Sequence, residues 1–216
     1  YKLTAIQKEG GTITLTNETT KESSTDFVLA KKNDEVRVSV TPMAGYQLES
    51  LTYKGEEIEN NSTIIMTAGK GDIEVVYSKI GYDITINQAV GGTVTLTNNT
   101  SKESSTSSLE ASINDVITVE TTVLPGYKLE AVYISSNKLT GNSFVMGTEE
   151  VIVTVEYSKI EYNITSVIDE EDKGTILITN ETTNTSGDKV IGHVGDTIKI
   201  EALPIEGYHV TTITYN

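Results

Sequence analysis

The sequence predicts an all-β fold: a tandem array of small β-grasp-like or sandwich-like repeat units, five to six short strands each, with the third unit incomplete. Three observations carry that expectation. Long stretches return at a fixed interval. Apolar residues alternate with polar ones instead of following a helical stripe. Thr and Ser, 33 and 18 of the 216 residues, join Val, Ile and Tyr in a composition suited to pleated, half-buried surfaces.

The repeat comes first because it organises everything else. GGTITLTNETTKESST from Gly10 and GGTVTLTNNTSKESST from Gly91 share thirteen of sixteen positions at a separation of 81 residues. Gly45-Tyr46, Gly126-Tyr127 and Gly207-Tyr208 keep that interval, as do Asp34, Asp115 and Asp196. Tyr1, Tyr82 and Tyr162 open the units, and YSKI closes the first two at Tyr77 and Tyr157. The units therefore span residues 1–80, 81–161 and 162–216. The third stops at TTITYN, where Tyr215 aligns with Tyr53, and lacks the final strand.

Each unit reads as strands in order. In GTITLTN, Ile13 and Leu15 point one way and the threonines the other; Val36, Val38 and Val40 share a face, as do Ile73, Val75 and Tyr77. Gly10-Gly11 and Gly91-Gly92 sit between two alternating runs, as a tight hairpin requires. Pro42, Pro125 and Pro204 end the following strand by removing a ladder donor. The Gly-Tyr after each restarts the chain as a bent or bulged strand. No window carries an i, i+3, i+4, i+7 stripe over three turns.

A formal charge of −15 with no basic cluster argues against nucleic acid and anionic lipid as partners. No apolar run approaches the roughly 20 residues of a membrane helix, so membrane insertion is not expected. The absence of Cys removes disulfides and thiol chemistry. No signal-like segment precedes Tyr1, which suggests a processed or excised chain.

The order of motifs resembles the divergent internalin B-repeat family, the bacterial surface repeats related to the listerial B-repeat. The residues that carry it are Gly11-Thr12, Asp34 with Val36, Gly45-Tyr46 and Met66 in the first unit. Gly92, Asp115, Gly126-Tyr127 and Met146 match them in the second, and Gly174, GDTI from Gly195 and Gly207-Tyr208 in the third. The Trp that often follows the Gly-Tyr corner is replaced by Leu51, Val132 and Ile213 or their neighbours. The resemblance implies small β-grasp-like modules strung together in secreted or wall-attached bacterial proteins, hence an extracellular or cell-surface address and no enzyme.

No catalytic set is expected. His193 and His209 are the two histidines, both in the third unit, and the adjacent carboxylates Glu56-Glu57 and Glu149-Glu150 do not face each other across a cleft. Asp169, Glu170, Glu171 and Asp172, with Asp188, are weak candidates for calcium, since no Asp-x-Asp-x-Asp-Gly loop exists. No cofactor is expected. The recurring Asp34, Asp115 and Asp196 read as turn residues whose carboxylates accept backbone N–H groups. Most tyrosines return in every unit and are explained by its core; Tyr53, Tyr133 and Tyr215 are the freest to bind a glycan. Asn-x-Ser/Thr recurs at Asn17, Asn98 and Asn180, which matter for glycosylation only in a host that modifies asparagine. The functional expectation is a non-catalytic stalk or spacer whose partners are other domains of the same polypeptide. The alternatives are an adhesin or carbohydrate-binding module, with a host or environmental glycan or protein as partner, and a filament subunit completed by a neighbour's strand.

Overall fold

A computed structural model of the chain describes residues 1–169 and 171–215, without the side chain of Glu171. Alternation in repeat one places its apolar residues between two sheets. The strands in chain order are β1 (Lys2–Ile6), β2 (Gly11–Asn17), β3 (Ser23–Ser24), β4 (Phe27–Leu29), β5 (Glu35–Pro42), β6 (Tyr46–Tyr53), β7 (Glu56–Glu57), β8 (Thr63–Ile65) and β9 (Gly71–Lys79). One sheet runs β4-β1-β9-β6-β7 and the other β3-β2-β5-β8. β1 and β9 run parallel, whereas β6 and β9, and β2 and β5, are antiparallel. Leu3, Ile13, Leu15, Val36, Val38, Ile73 and Val75 belong to one sealed apolar cluster. Each such side chain contributes about 1.5–3 kcal/mol by leaving water. The result is sandwich-like, all-β, and without an α-helix among the described residues.

Two expectations change. Repeat one has nine strand segments, not five or six, because β3, β4, β7 and β8 are rungs of two or three residues too short to show a period. Gly10-Gly11 is not a hairpin turn: β1 and β2 belong to different sheets. The glycines form the corner that carries the chain from one sheet to the other. Gly10 has φ +110°, and a Cβ there would lie 2.8 Å from both Tyr46 Cδ1 and Tyr77 Cβ. The Gln7 side chain bridges the corner, donating to Ile13 O and Thr25 O while accepting the Ile13 N–H. The bend expected after Gly45-Tyr46 is present as a register shift between Leu48 and Ser50.

Repeat two gives nine counterparts: β10 (Gly81–Asn87), β11 (Gly92–Asn98), β12 (Ser104–Ser105), β13 (Ser108–Ser112), β14 (Val116–Val123), β15 (Tyr127–Ile134), β16 (Asn137–Lys138), β17 (Ser143–Val145) and β18 (Val151–Lys159). Two compact bodies are formed, one of residues 1–85, 96–119 and 140–152, the other of residues 86–95, 120–139 and 153–216. The first body holds repeat one, together with the β10–β13 and β14–β17 pairings. There Ile84, Leu96, Leu109, Ile117 and Met146 are buried. In the second body β15 pairs with β16 and β18, with a register shift between Leu129 and Ala131 that mirrors β6.

The second body also holds repeat three: β19 (Tyr162–Thr165), a 3-10 turn (Glu171–Lys173), β20 (Gly174–Asn180), β21 (Thr185–Gly187), β22 (Lys189–Gly192) and β23 (Ile198–Pro204). β19 pairs with β22, and β20 lies between β21 and β23. YHVTTITY at 208–215 alternates as YQLESLTY does at 46–53, yet forms no strand. β6 takes its ladder from β9, and no described residue plays that part here. An open cleft lined by Ile176, Leu203, Tyr208 and Ile213 results.

Candidate functional site

The most specific chemical arrangement is a buried Asn–Asp pair that occurs three times. β2 buries Gly11, Ile13 and Leu15, and the same parity carries Asn17 inward, where it is 0% exposed. A carboxamide there must satisfy both its donor and its acceptor. Asn17 Nδ2 donates to Leu29 O at 3.0 Å and to Asp34 Oδ2 at 3.2 Å, while its Oδ1 accepts the Thr19 and Thr20 N–H groups. Asp34 Oδ2 also accepts the Lys31 N–H at 2.8 Å. The strand end, the following loop and the turn before β5 are thereby tied at one point.

Repeat two reproduces the arrangement. Asn98 Nδ2 donates to Asp115 Oδ2 at 2.8 Å, its Oδ1 accepts Thr100 and Ser101 N–H, and Asp115 accepts Ser112 N–H at 3.0 Å. In repeat three Asn180 Nδ2 donates to Ile191 O and to Asp196 Oδ2, and Asp196 accepts His193 N–H. All three carboxyls titrate below their ordinary value. The Lys31 N–H does most for Asp34, followed by the Asn17 carboxamide. Burial pushes Asp115 up most strongly, but Ser112 N–H, Asn98, Thr100 and the Lys79 charge together outweigh it. Asn180 acts most on Asp196, then His193 N–H. The expected role of these aspartates as acceptors of backbone N–H groups is what the geometry shows.

The arrangement holds loops; it has no nucleophile or base poised for transfer. His193 Nδ1 lies 3.4 Å from Asp196 Oδ2, and His209 is exposed outside any strand. Asn17, Asn98 and Asn180 were noticed in the sequence as glycosylation acceptors, and their place in the interior was missed. The signal was available: each closes an alternating strand on the same parity as the apolar residues. Their carboxamides are engaged within the fold, so a glycan on the folded chain would displace these bonds.

Tyr53 belongs to the first body, and Tyr133 and Tyr215 to the second. Tyr53 is half-buried against the core of repeat one, its ring over Gly71 and the Lys54 ammonium 5.1 Å from its centroid. Tyr133 is half-buried in β15, and Tyr215 is 91% exposed. Tyr77 and Tyr157 pack on the Gly-Gly corners, and burial raises both phenols. The Tyr157 hydroxyl donates to Thr93 O at 3.2 Å. Asp169 is exposed at the rim of the third repeat's cleft, and Asp172 pairs with Lys173 at 2.8 Å. Glu170 and the Glu171 side chain lie outside the described residues. Among the described residues no three carboxylate or imidazole groups converge as metal ligands.

Residues 1–81 match the family model described as the divergent InlB B-repeat domain, the family to which the motif order pointed. That family is associated with bacterial surface or secreted proteins and is generally non-catalytic. No curated protein matches the chain. No helix among the described residues is long and apolar enough to cross a membrane.

Proposed function

We propose that the chain is a tandem array of divergent InlB B-repeats serving as a non-catalytic stalk or spacer in a bacterial cell-surface or secreted protein, with other domains of the same polypeptide as its partners. One observation carries this reading: the Asn–Asp pairs and the corner tyrosines, which return at the repeat interval, are occupied with the fold itself. The Asn–Asp pairs tie loops to strands, and Tyr46 and Tyr77 close the Gly10 corner, as Tyr127 and Tyr157 close that at Gly91. Repeats joined by a single residue between β9 and β10 leave little slack for bending. Small-angle scattering on chains lengthened by whole repeats tests the idea. A spacer gains about 30 Å of maximum dimension per repeat, the diameter of an 81-residue unit; growth on globular scaling would refute it.

The cleft of repeat three favours a second reading, a filament subunit completed by a strand from a neighbour. A synthetic peptide of the β9 sequence GDIEVVYSK should then slow amide exchange over residues 208–215, and the chain should polymerise with concentration. A monodisperse monomer that ignores the peptide removes this reading. An adhesin reading rests chiefly on exposed Tyr215, and a glycan array without hits would remove it.

A further inference from the structure

The Asn–Asp pairs hold a turn whose tip recurs. In Lys31–Asp34, Ser112–Asp115 and His193–Asp196, the Asp N–H donates to the first residue's carbonyl at 3.2, 3.0 and 3.1 Å. The Asp carboxylate accepts that same residue's N–H. The third position is left-handed each time: Asn33 at φ 70°, Asn114 at 69° and Gly195 at 91°. So closed, the turn leaves its second residue at the tip, and that residue is Lys32, Ile113 or Val194.

A second turn recurs with equal regularity. In Met43–Tyr46, Leu124–Tyr127 and Ile205–Tyr208, the Tyr N–H donates back to the first carbonyl at 3.0, 3.1 and 3.1 Å. Gly45, Gly126 and Gly207 sit in it at φ +80°, +82° and +87°, a position that takes glycine because other side chains are strained there. Within the first body, the tip Ile113 rests on Gly45: a Cβ at Gly45 would lie 2.8 Å from Ile113 Cγ2. Within the second, Val194 rests on Gly126, where a Cβ would lie 2.5 Å from Val194 Cβ. The carbonyls of these glycines also accept Ile80 and Ile160 N–H, at 2.9 and 2.8 Å. The chain leaving a repeat is thus pinned to the turn that receives the next repeat's tip.

At Gly207 the same space is open, with no described atom within 4 Å of the Cβ position, and Ile205 and Tyr208 beside it are about half exposed. We propose that the Gly207 turn is a docking seat for a following repeat of this type, received through a β-branched aliphatic residue at the tip of that repeat's Asp-closed turn. The proposal rests on the tandem-array part of the function above. Lys32 fixes its selectivity. A tip of the Lys32 kind is a poor occupant, because covering an ammonium on a bare glycine is unfavourable. The seat therefore favours a repeat whose tip is isoleucine or valine, as at Ile113 and Val194.

The test is a chain lengthened after Asn216 by a second copy of residues 136–216. By the 81-residue register Asn216 aligns with Ser135, so this addition completes repeat three and sets a second Val194 tip opposite Gly207. Proton–proton cross-relaxation should connect Gly207 Hα to the added valine's methyls, as it should connect Gly45 to Ile113 and Gly126 to the first Val194. With Val194→Lys in the added copy, the Gly207 resonances should return to those of a chain lengthened by residues 136–161 alone. Contacts at Gly45 and Gly126 but none at Gly207, or an unchanged Gly207 in the lysine variant, would overturn the docking seat while leaving the array intact. Missing contacts at Gly45 and Gly126 would overturn the array as well.

Discussion

Ile13 and Ile176 hold the same place in strands of nearly the same sequence, GTITLTN and GTILITN, yet Ile13 is sealed and Ile176 is only half-buried. Their neighbours diverge in the same direction. Val38 is 0% exposed and Ile200 39%; Leu51 is 3% and Ile213 51%. The strand that separates the two repeats is β9. In repeat one it lies at the middle of its sheet, bonds β1 on one side and β6 on the other, and adds Ile73 and Val75 to the core. Repeat three has no described counterpart, so β19 holds β22 alone and the interior opens into a cleft. An amphipathic strand becomes a core wall only when a second surface covers it.

The corner differs for the same reason. Gly10 is enclosed by Tyr46 and Tyr77, whereas repeat three carries Lys173 in its place, with its ammonium 4.8 Å from the centre of the Tyr208 ring. Without a counterpart of Tyr77, the corner has room for a long side chain.

Four experiments would break or sharpen this contrast. Amide exchange resolved by repeat is the suitable measurement, because a multi-unit chain does not unfold in one step. The largest gap should come from the core: Ile13→Ala should cost repeat one about 3–4 kcal/mol, and Ile176→Ala should cost repeat three about 1–2 kcal/mol. Equal losses would mean that the two interiors are alike after all. Next, Asn17→Ala strips the Asp34 carboxylate of one donor and leaves two loop N–H groups unanswered, for about 2–3 kcal/mol. Asn180→Ala should cost less, since water reaches the more open repeat.

At the corner, Gly10→Ala meets both a left-handed backbone and two rings and should cost about 2 kcal/mol. Lys173→Gly should change stability by about 0.5–1 kcal/mol, mainly through the unfolded chain. If both corners respond alike, the rings are not what selects glycine. The smallest and slowest change is with pH. Asp34, Asp115 and Asp196 titrate below 3.8 in the folded chain. Their contribution is therefore complete above about 3.8 and is lost as pH falls through the lower folded values. The Lys31 and His193 amides should lose protection over that range, with His193 leading because its repeat is less sealed. Asp34→Asn should remove the acid response at Lys31 alone.

Much of this was legible beforehand, and the reasons are particular. The interval of 81 residues, the alternation in GTITLTN and DEVRVSV, and the acceptor role of Asp34 rest on local chemistry that the residues themselves display. The corner at Gly10 was misread because two glycines between alternating runs suit a hairpin and a sheet-to-sheet crossing equally well. Asn17 was read as a glycosylation acceptor because Asn-x-Thr is a local pattern, and asparagine is mostly exposed in folded proteins. Only its parity with Ile13 and Leu15 pointed inward. The tips Ile113 and Val194 carried no sign at all, since a lone aliphatic residue on a turn is unremarkable until a glycine is found beneath it.

By itself, then, the sequence determined the strand character, the repeat and the face each side chain takes, because a period of two residues is a property of the backbone. Tertiary structure alone decided which strands pair, that YQLESLTY becomes a strand while YHVTTITY does not, and where one repeat seats the next. A strand's hydrogen bonds lie outside itself, so a segment of the right pattern stays unpaired until another segment supplies the partner groups.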